Sequence, residues 1–155
     1  MNKIVITGMG AVTPIGIGVA EYWNGLVSGV HGIGKITRFD ASALPVQIAA
    51  EVKGFDATEH MPRKLAREMD LFMQYGYVAA EEAMQDADLH PDAPEARTVP
   101  AERIGIVVGT AFAGIATIAE TQNSISTGAQ SKVSPRFVPK VIGNIAAAQI
   151  AIAKG

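Results

Sequence analysis

No cysteine occurs in the 155 residues. Its absence excludes a disulfide framework, a thiolate metal site and a cysteine nucleophile within this stretch, and it suits the reducing cytoplasm. A surplus of positive charge is lacking too: 13 Lys and Arg stand against 15 Asp and Glu, for a formal net charge of −2. With no basic excess to collect phosphates, a nucleic-acid partner is excluded. Long apolar runs are scarce and broken. Residues 104–119 are uncharged, but these 16 residues contain Gly105, Gly109 and Gly114 and fall short of the roughly 20 that a spanning helix needs. Residues 4–20, uncharged behind Lys3, imitate an export signal, yet Gly8, Gly10, Pro14, Gly16 and Gly18 interrupt the helix such a signal forms. The chain is expected to make no membrane insertion.

What is present is apolar and unevenly arranged. Hydrophobic residues make up 48% of the chain, which excludes disorder. A single domain of this length buries roughly 68–70% of its unfolded surface. Twelve of the fifteen acids fall within residues 51–102, whereas residues 104–155 hold only Glu120 against Lys132, Arg136, Lys140 and Lys154. So uncharged a final third is expected to be buried, in its own core or against a partner. The chain reads as part of something larger.

Alternation of strands and helices predicts an α/β fold with helices layered on a sheet. Residues 3–7 and 103–110 read as continuous buried strands, with a weaker strand over 47–52. A glycine-rich turn covers 8–18. Helices are predicted over 19–30, with Tyr22, Trp23, Leu26 and Val27 on the apolar side, and within 66–89, where Met69, Phe72, Met73, Tyr77, Ala80 and Met84 recur at helical spacing. Further helices are expected over 114–127 and 141–154, with a proline-rich loop over 90–100 and a break over 134–139.

Several motifs imitate chemistry without completing it. Gly8 and Gly10 follow a strand as in a dinucleotide fingerprint, but Thr13 occupies the third glycine's place and Pro14 follows it. Gly109 and Gly114 have phosphate-loop spacing, but Ile115 and Ala116 stand where Lys and Ser or Thr belong. His31, His60 and His90 are not spaced as ligands, so no metal is expected. No Gly-x-Ser-x-Gly elbow occurs. Glu81 and Glu82 fit the solvated face of a helix. The residues therefore assign no catalytic group and no cofactor. Phe112, Ile115 and Ile118, at i, i+3 and i+6, form one apolar stripe, readable as plain core or as the wall of an apolar ligand tunnel.

Taken in order, Ile4-Val-Ile-Thr-Gly-Met-Gly-Ala-Val-Thr-Pro-Ile-Gly16, Phe39-Asp40, Arg63-Lys64, Met69-Asp70, Gln74-Tyr75-Gly76, Arg103-Ile-Gly105 and Ser134-Pro-Arg-Phe-Val-Pro139 resemble the β-ketoacyl-[acyl-carrier-protein] synthases, most of all the type II elongating enzymes. The likeness runs over residues 1–155, as the N-terminal segment of such an enzyme. It implies the thiolase-like layered α-β-α-β-α fold, of which this chain is the N-terminal half, a cytoplasmic homodimer, and an acyltransferase of fatty acid biosynthesis. The family moves an acyl chain to a cysteine and condenses it with malonyl carrier protein as CO₂ leaves, while two histidines stabilise the developing charge. Cysteine, histidines and the supporting lysine lie outside what is matched here, so no catalytic residue carries over, and the 155-residue chain alone is expected to be inactive.

The resemblance does carry substrate-side positions. Phe112, Ile115 and Ile118 match the acyl tunnel, where relatives more often place a smaller aliphatic group at position 112. Phe137 matches a residue reaching across the dimer toward the partner's tunnel. Lys64, Arg67 and Lys132 match a basic patch that receives the acidic acyl carrier protein, although Glu68 and Ser131 replace bases common in relatives. A polyketide ketosynthase and a non-catalytic chain-length subunit share the fold and are the alternatives.

Overall fold

The computed structural model describes residues 3–89, 92–129 and 133–154. Strands β1 (Val12–Thr13) and β2 (Gly16–Ile17) form a small antiparallel hairpin, with Val12 opposite Ile17 and Thr13 opposite Gly16. Helix α1 (Val19–Val27) follows, ending where Gly29 takes a left-handed φ of 66°. Strands β3 (Ile33–Lys35) and β4 (Ile48–Ala50) make a second antiparallel hairpin. The rest is helical: α2 (Arg63–Glu68), α3 (Leu71–Asp86), α4 (Ile115–Ser126), α5 (Phe137–Val141) and α6 (Ile145–Lys154), with single 3₁₀ turns between.

The core lies where α3 crosses α6. Met61, Ala66, Met69, Met73, Tyr77, Ala146 and Ile150 are buried there, with Ile106 and Val108 laid against them. Three of these, Met69, Met73 and Tyr77, had been expected on the apolar face of a helix within 66–89. That helix is interrupted, however. Met69 is extended (φ −105°, ψ 143°), and Asp70 opens α3 by accepting the Phe72 N–H at 3.4 Å. An aspartate that can cap a helix competes with continuing through one, which accounts for the break.

Two expectations need correction. Residues 3–7 and 103–110 form no strand ladder among the described residues, and their apolar side chains are at most partly buried, with Ile4 99% exposed and Val107 96%. Around Val107 the burial alternates, with Ile106 and Val108 turned to the core. The segment has strand periodicity but no neighbouring strand, and a strand exists only as one side of a hydrogen-bonded pair. Among the described residues much of the final third is exposed, which leaves burial against a partner as the form of that expectation still open, and Trp23, Leu26 and Val27 of α1 are exposed too.

The glycine-rich turn is held by α3. Glu82 accepts the N–H of Ala11 at 2.9 Å and of Val19 at 2.7 Å, and Asp86 accepts that of Met9 at 3.0 Å. Gly10 allows this approach, because a Cβ there would lie 1.8 Å from the Ala79 carbonyl oxygen. The solvated-face reading of Glu81 and Glu82 is thus wrong for both. Glu82 clamps the turn, and Glu81 binds Lys154 at 2.8 Å.

Candidate functional site

The stripe of apolar residues sits where α4 begins. Thr110 closes the preceding turn by donating its hydroxyl to the Phe112 carbonyl at 3.1 Å. Gly114 is the N-cap of α4 and is buried against α5: a Cβ at this position would meet the Lys140 carbonyl oxygen at 2.3 Å. Glycine is required by that contact rather than by its φ of −64°. The Gly114 carbonyl accepts the Ile118 N–H at 3.0 Å, so the first turn is fully formed.

Phe112 is 74% exposed, and Ile115 and Ile118 are exposed as well. The described residues therefore do not cover the stripe. Ile115 and Ile118 stand about one turn apart on α4, while Phe112 precedes its N-cap Gly114 and lies outside the helix. Phe137, the first residue of α5, is half-buried, and α5 packs against α4, so it belongs to the same region. Ile115 also borders an open cleft of about 710 Å³ between α4, Leu71 at the start of α3, and the loop carrying Arg38 and Phe39. Its lining is mixed, with Leu71 and Ile115 beside Arg38, Asp70, Thr117 and Glu120, and neither Phe112 nor Ile118 lines it.

Lys64 and Arg67 lie on α2, both exposed, and among the described residues neither has a carboxylate partner. Lys132 falls outside the described residues. Arg63, also exposed, stands one turn before Arg67 and was missed, although the i, i+4 spacing of two arginines was legible. Arg136 was missed with better reason. It comes next to α2 only through folding, where it lines a shallow cleft with Glu68, Pro139 and Gln149. Unpaired bases on one short helix attract an acidic surface over several ångströms.

Other charged groups are structural. Lys154 is 6% exposed, its ammonium 2.8 Å from Glu81 and 3.3 Å from Asp92 and 5.0 Å from the centre of the Tyr77 ring. Burial works to lower its pKa, but the Glu81 carboxylate and Tyr77 outweigh it and hold the group above its ordinary value. His60 stacks on Phe55, with ring centres 5.6 Å apart. His90 lies outside the described residues. Among the described residues no three metal-ligating side chains converge, and no helix is long and apolar enough to cross a membrane.

Residues 1–155 match the family model described as Beta-ketoacyl synthase, N-terminal domain. The 3-oxoacyl-[acyl-carrier-protein] synthase 2 of Synechocystis sp. is 39% identical over 154 residues, which are 99% of this chain and 36% of that protein. The chain therefore spans little more than a third of this relative. A beta-ketoacyl synthase from Burkholderia phymatum STM815 superposes with a TM-score of 0.77 at 24% identity, covering 99% of this chain and 37% of the other. A ketosynthase solved with its type II PKS acyl-carrier protein, bound to the hexaketide, gives 0.73 at 24% identity over 97% of this chain and 39% of the other. These likenesses establish the expected fold.

Proposed function

Because this chain belongs to the β-ketoacyl synthase family, we propose that the protein is a 3-oxoacyl-[acyl-carrier-protein] synthase of fatty acid biosynthesis, a cytoplasmic homodimer to which residues 1–155 contribute substrate handling. The observation that carries the reading is the unbroken match of this chain to a fatty-acid enzyme at 39% identity. The polyketide and non-catalytic readings have less behind them, since a ketosynthase/chain length factor matches at 27% and a type II PKS ketosynthase at 24%.

In this reading Phe112, Ile115 and Ile118 wall the acyl channel. Each methylene they take from water contributes about 0.8 kcal/mol of binding. Phe137 closes the channel from the partner subunit. Lys64 and Arg67, with Lys132, receive the acidic carrier protein, raising the encounter rate by long-range attraction and not by tight ion pairs. Acyl-thioester formation needs a thiolate, and these 155 residues hold none. The chain alone neither condenses substrates nor reacts with cysteine-directed reagents.

Carrier-protein binding tests the assignment. Reversing charge at Lys64 and Arg67 in the full-length synthase is expected to slow association with acyl carrier protein and flatten its dependence on ionic strength. Equal affinity and equal salt slope in variant and parent would remove α2 from the docking surface.

A further inference from the structure

We infer that Asp70 and Thr117 form the joint that sets the position of α4, and with it the apolar wall, relative to the basic helix α2. The inference rests on the channel reading proposed above. Asp70 stands at the best-anchored point of the chain. Its neighbour Met69 and, one turn later, Met73 are the most deeply buried large side chains. Asp70 is itself 8% exposed and follows the end of α2 by two residues. Both its carboxylate oxygens accept: Oδ1 takes the Phe72 N–H that caps α3, and Oδ2 takes the Thr117 hydroxyl of α4.

Within residues 1–155, helix α4 has few contacts of its own. It buries no side chain completely. Among the described residues, the bond from Thr117 is the one side-chain hydrogen bond that leaves the helix. A hydrogen bond from the first turn of α4 to a buried carboxylate is directional and so fixes where that turn lies against α3. Gly114 tightens the joint, because a Cβ there would lie 3.1 Å from the same Asp70 oxygen as well as against the Lys140 carbonyl. The core carboxylate, the first turn of α4 and the helix carrying Phe137 thus meet at one point. Ile115 and Ile118 flank Thr117 in sequence, so any slide of α4 displaces them together.

The test is made in the full-length synthase. Thr117→Val keeps the size of the side chain, removes the donor and leaves the α3 cap in place. It is expected to change the ratio of kcat/KM for long against short acyl chains about tenfold. The carrier-protein KM should stay within about twofold, and Thr117→Ser should restore the parent profile. Asp70→Asn, with one acceptor oxygen for two donors, should shift the profile in the same direction. Ile118→Ala, run alongside, probes the wall directly. If Ile118→Ala moves the profile and folded Thr117→Val does not, the joint is refuted while the wall stands. If neither does, wall and joint fall together. A Thr117→Val effect equal at all chain lengths would make the bond merely structural and overturn the inference.

Discussion

Removing the Glu82 carboxylate tests how the glycine-rich turn is held. Two backbone N–H groups, those of Ala11 and Val19, depend on it at 2.9 and 2.7 Å, in partly buried surroundings. Val19 opens α1, where the helix dipole favours an anion. A hydrogen bond to a charged group contributes about 1.5–3 kcal/mol, and a donor left without a partner keeps its desolvation cost. Taking the lower figure for each bond, because the site is partly wet, Glu82→Ala is expected to destabilise by about 3 kcal/mol. Glu82→Gln keeps one acceptor oxygen without charge and should lose about half of that. Asp86→Ala breaks a single exposed bond, to Met9, and should lose about 0.5–1 kcal/mol. For a domain of this size 3 kcal/mol corresponds to roughly 6–12 °C in Tm. Thermal and urea melts of the three variants give the ordering, and hydrogen exchange at Ala11 and Val19 shows whether the loss is local. A Glu82→Ala variant within about 0.5 kcal/mol of the parent, the scatter of ordinary surface substitutions, would refute the clamp.

Phe112→Ala should leave the stability of the 155-residue chain within about 0.5 kcal/mol, since Phe112 is exposed there, and should extend the acyl length accepted by the full synthase; an unchanged length profile in rate assays would take Phe112 out of the channel. Lys154 has its pKa raised in the folded state, so its contribution is complete below the unfolded lysine value of about 10.4 and is lost as pH rises through the folded one. Urea melts at rising alkaline pH should therefore show the parent's advantage over Lys154→Met shrinking, and a constant difference would contradict the pairing with Glu81.

Much of this was legible from local pattern. The apolar spacing of Met73 and Tyr77 marks the buried side of α3, whereas the break expected over 134–139 is overlapped by α5, whose first N–H, from Phe137, is donated to the Ser134 carbonyl at 3.0 Å. The apolar stripe at Phe112, Ile115 and Ile118 was also visible, though spacing alone did not say whether it faced inward. What was not legible depends on partners distant in sequence. Glu82 meets Ala11 across 71 positions, Thr117 meets Asp70 across 47, and Arg136 reaches α2 only after α5 has folded back. Residues 3–7 have the composition of a strand, yet composition does not provide a neighbour.

The amino-acid order by itself determined the family, the helix-forming stretches and the residues that bear the apolar and basic surfaces. Those properties follow from local periodicity and from motifs kept in sequence, which need no knowledge of what lies opposite. Only the tertiary structure decided that Glu82 is a clamp, that Asp70 ties α3 to α4, and that the described residues leave Phe112, Ile115 and Ile118 uncovered. A polar side chain reads the same on a solvated face as in a buried bond, because its energy is set by the group it meets and not by its place in the chain.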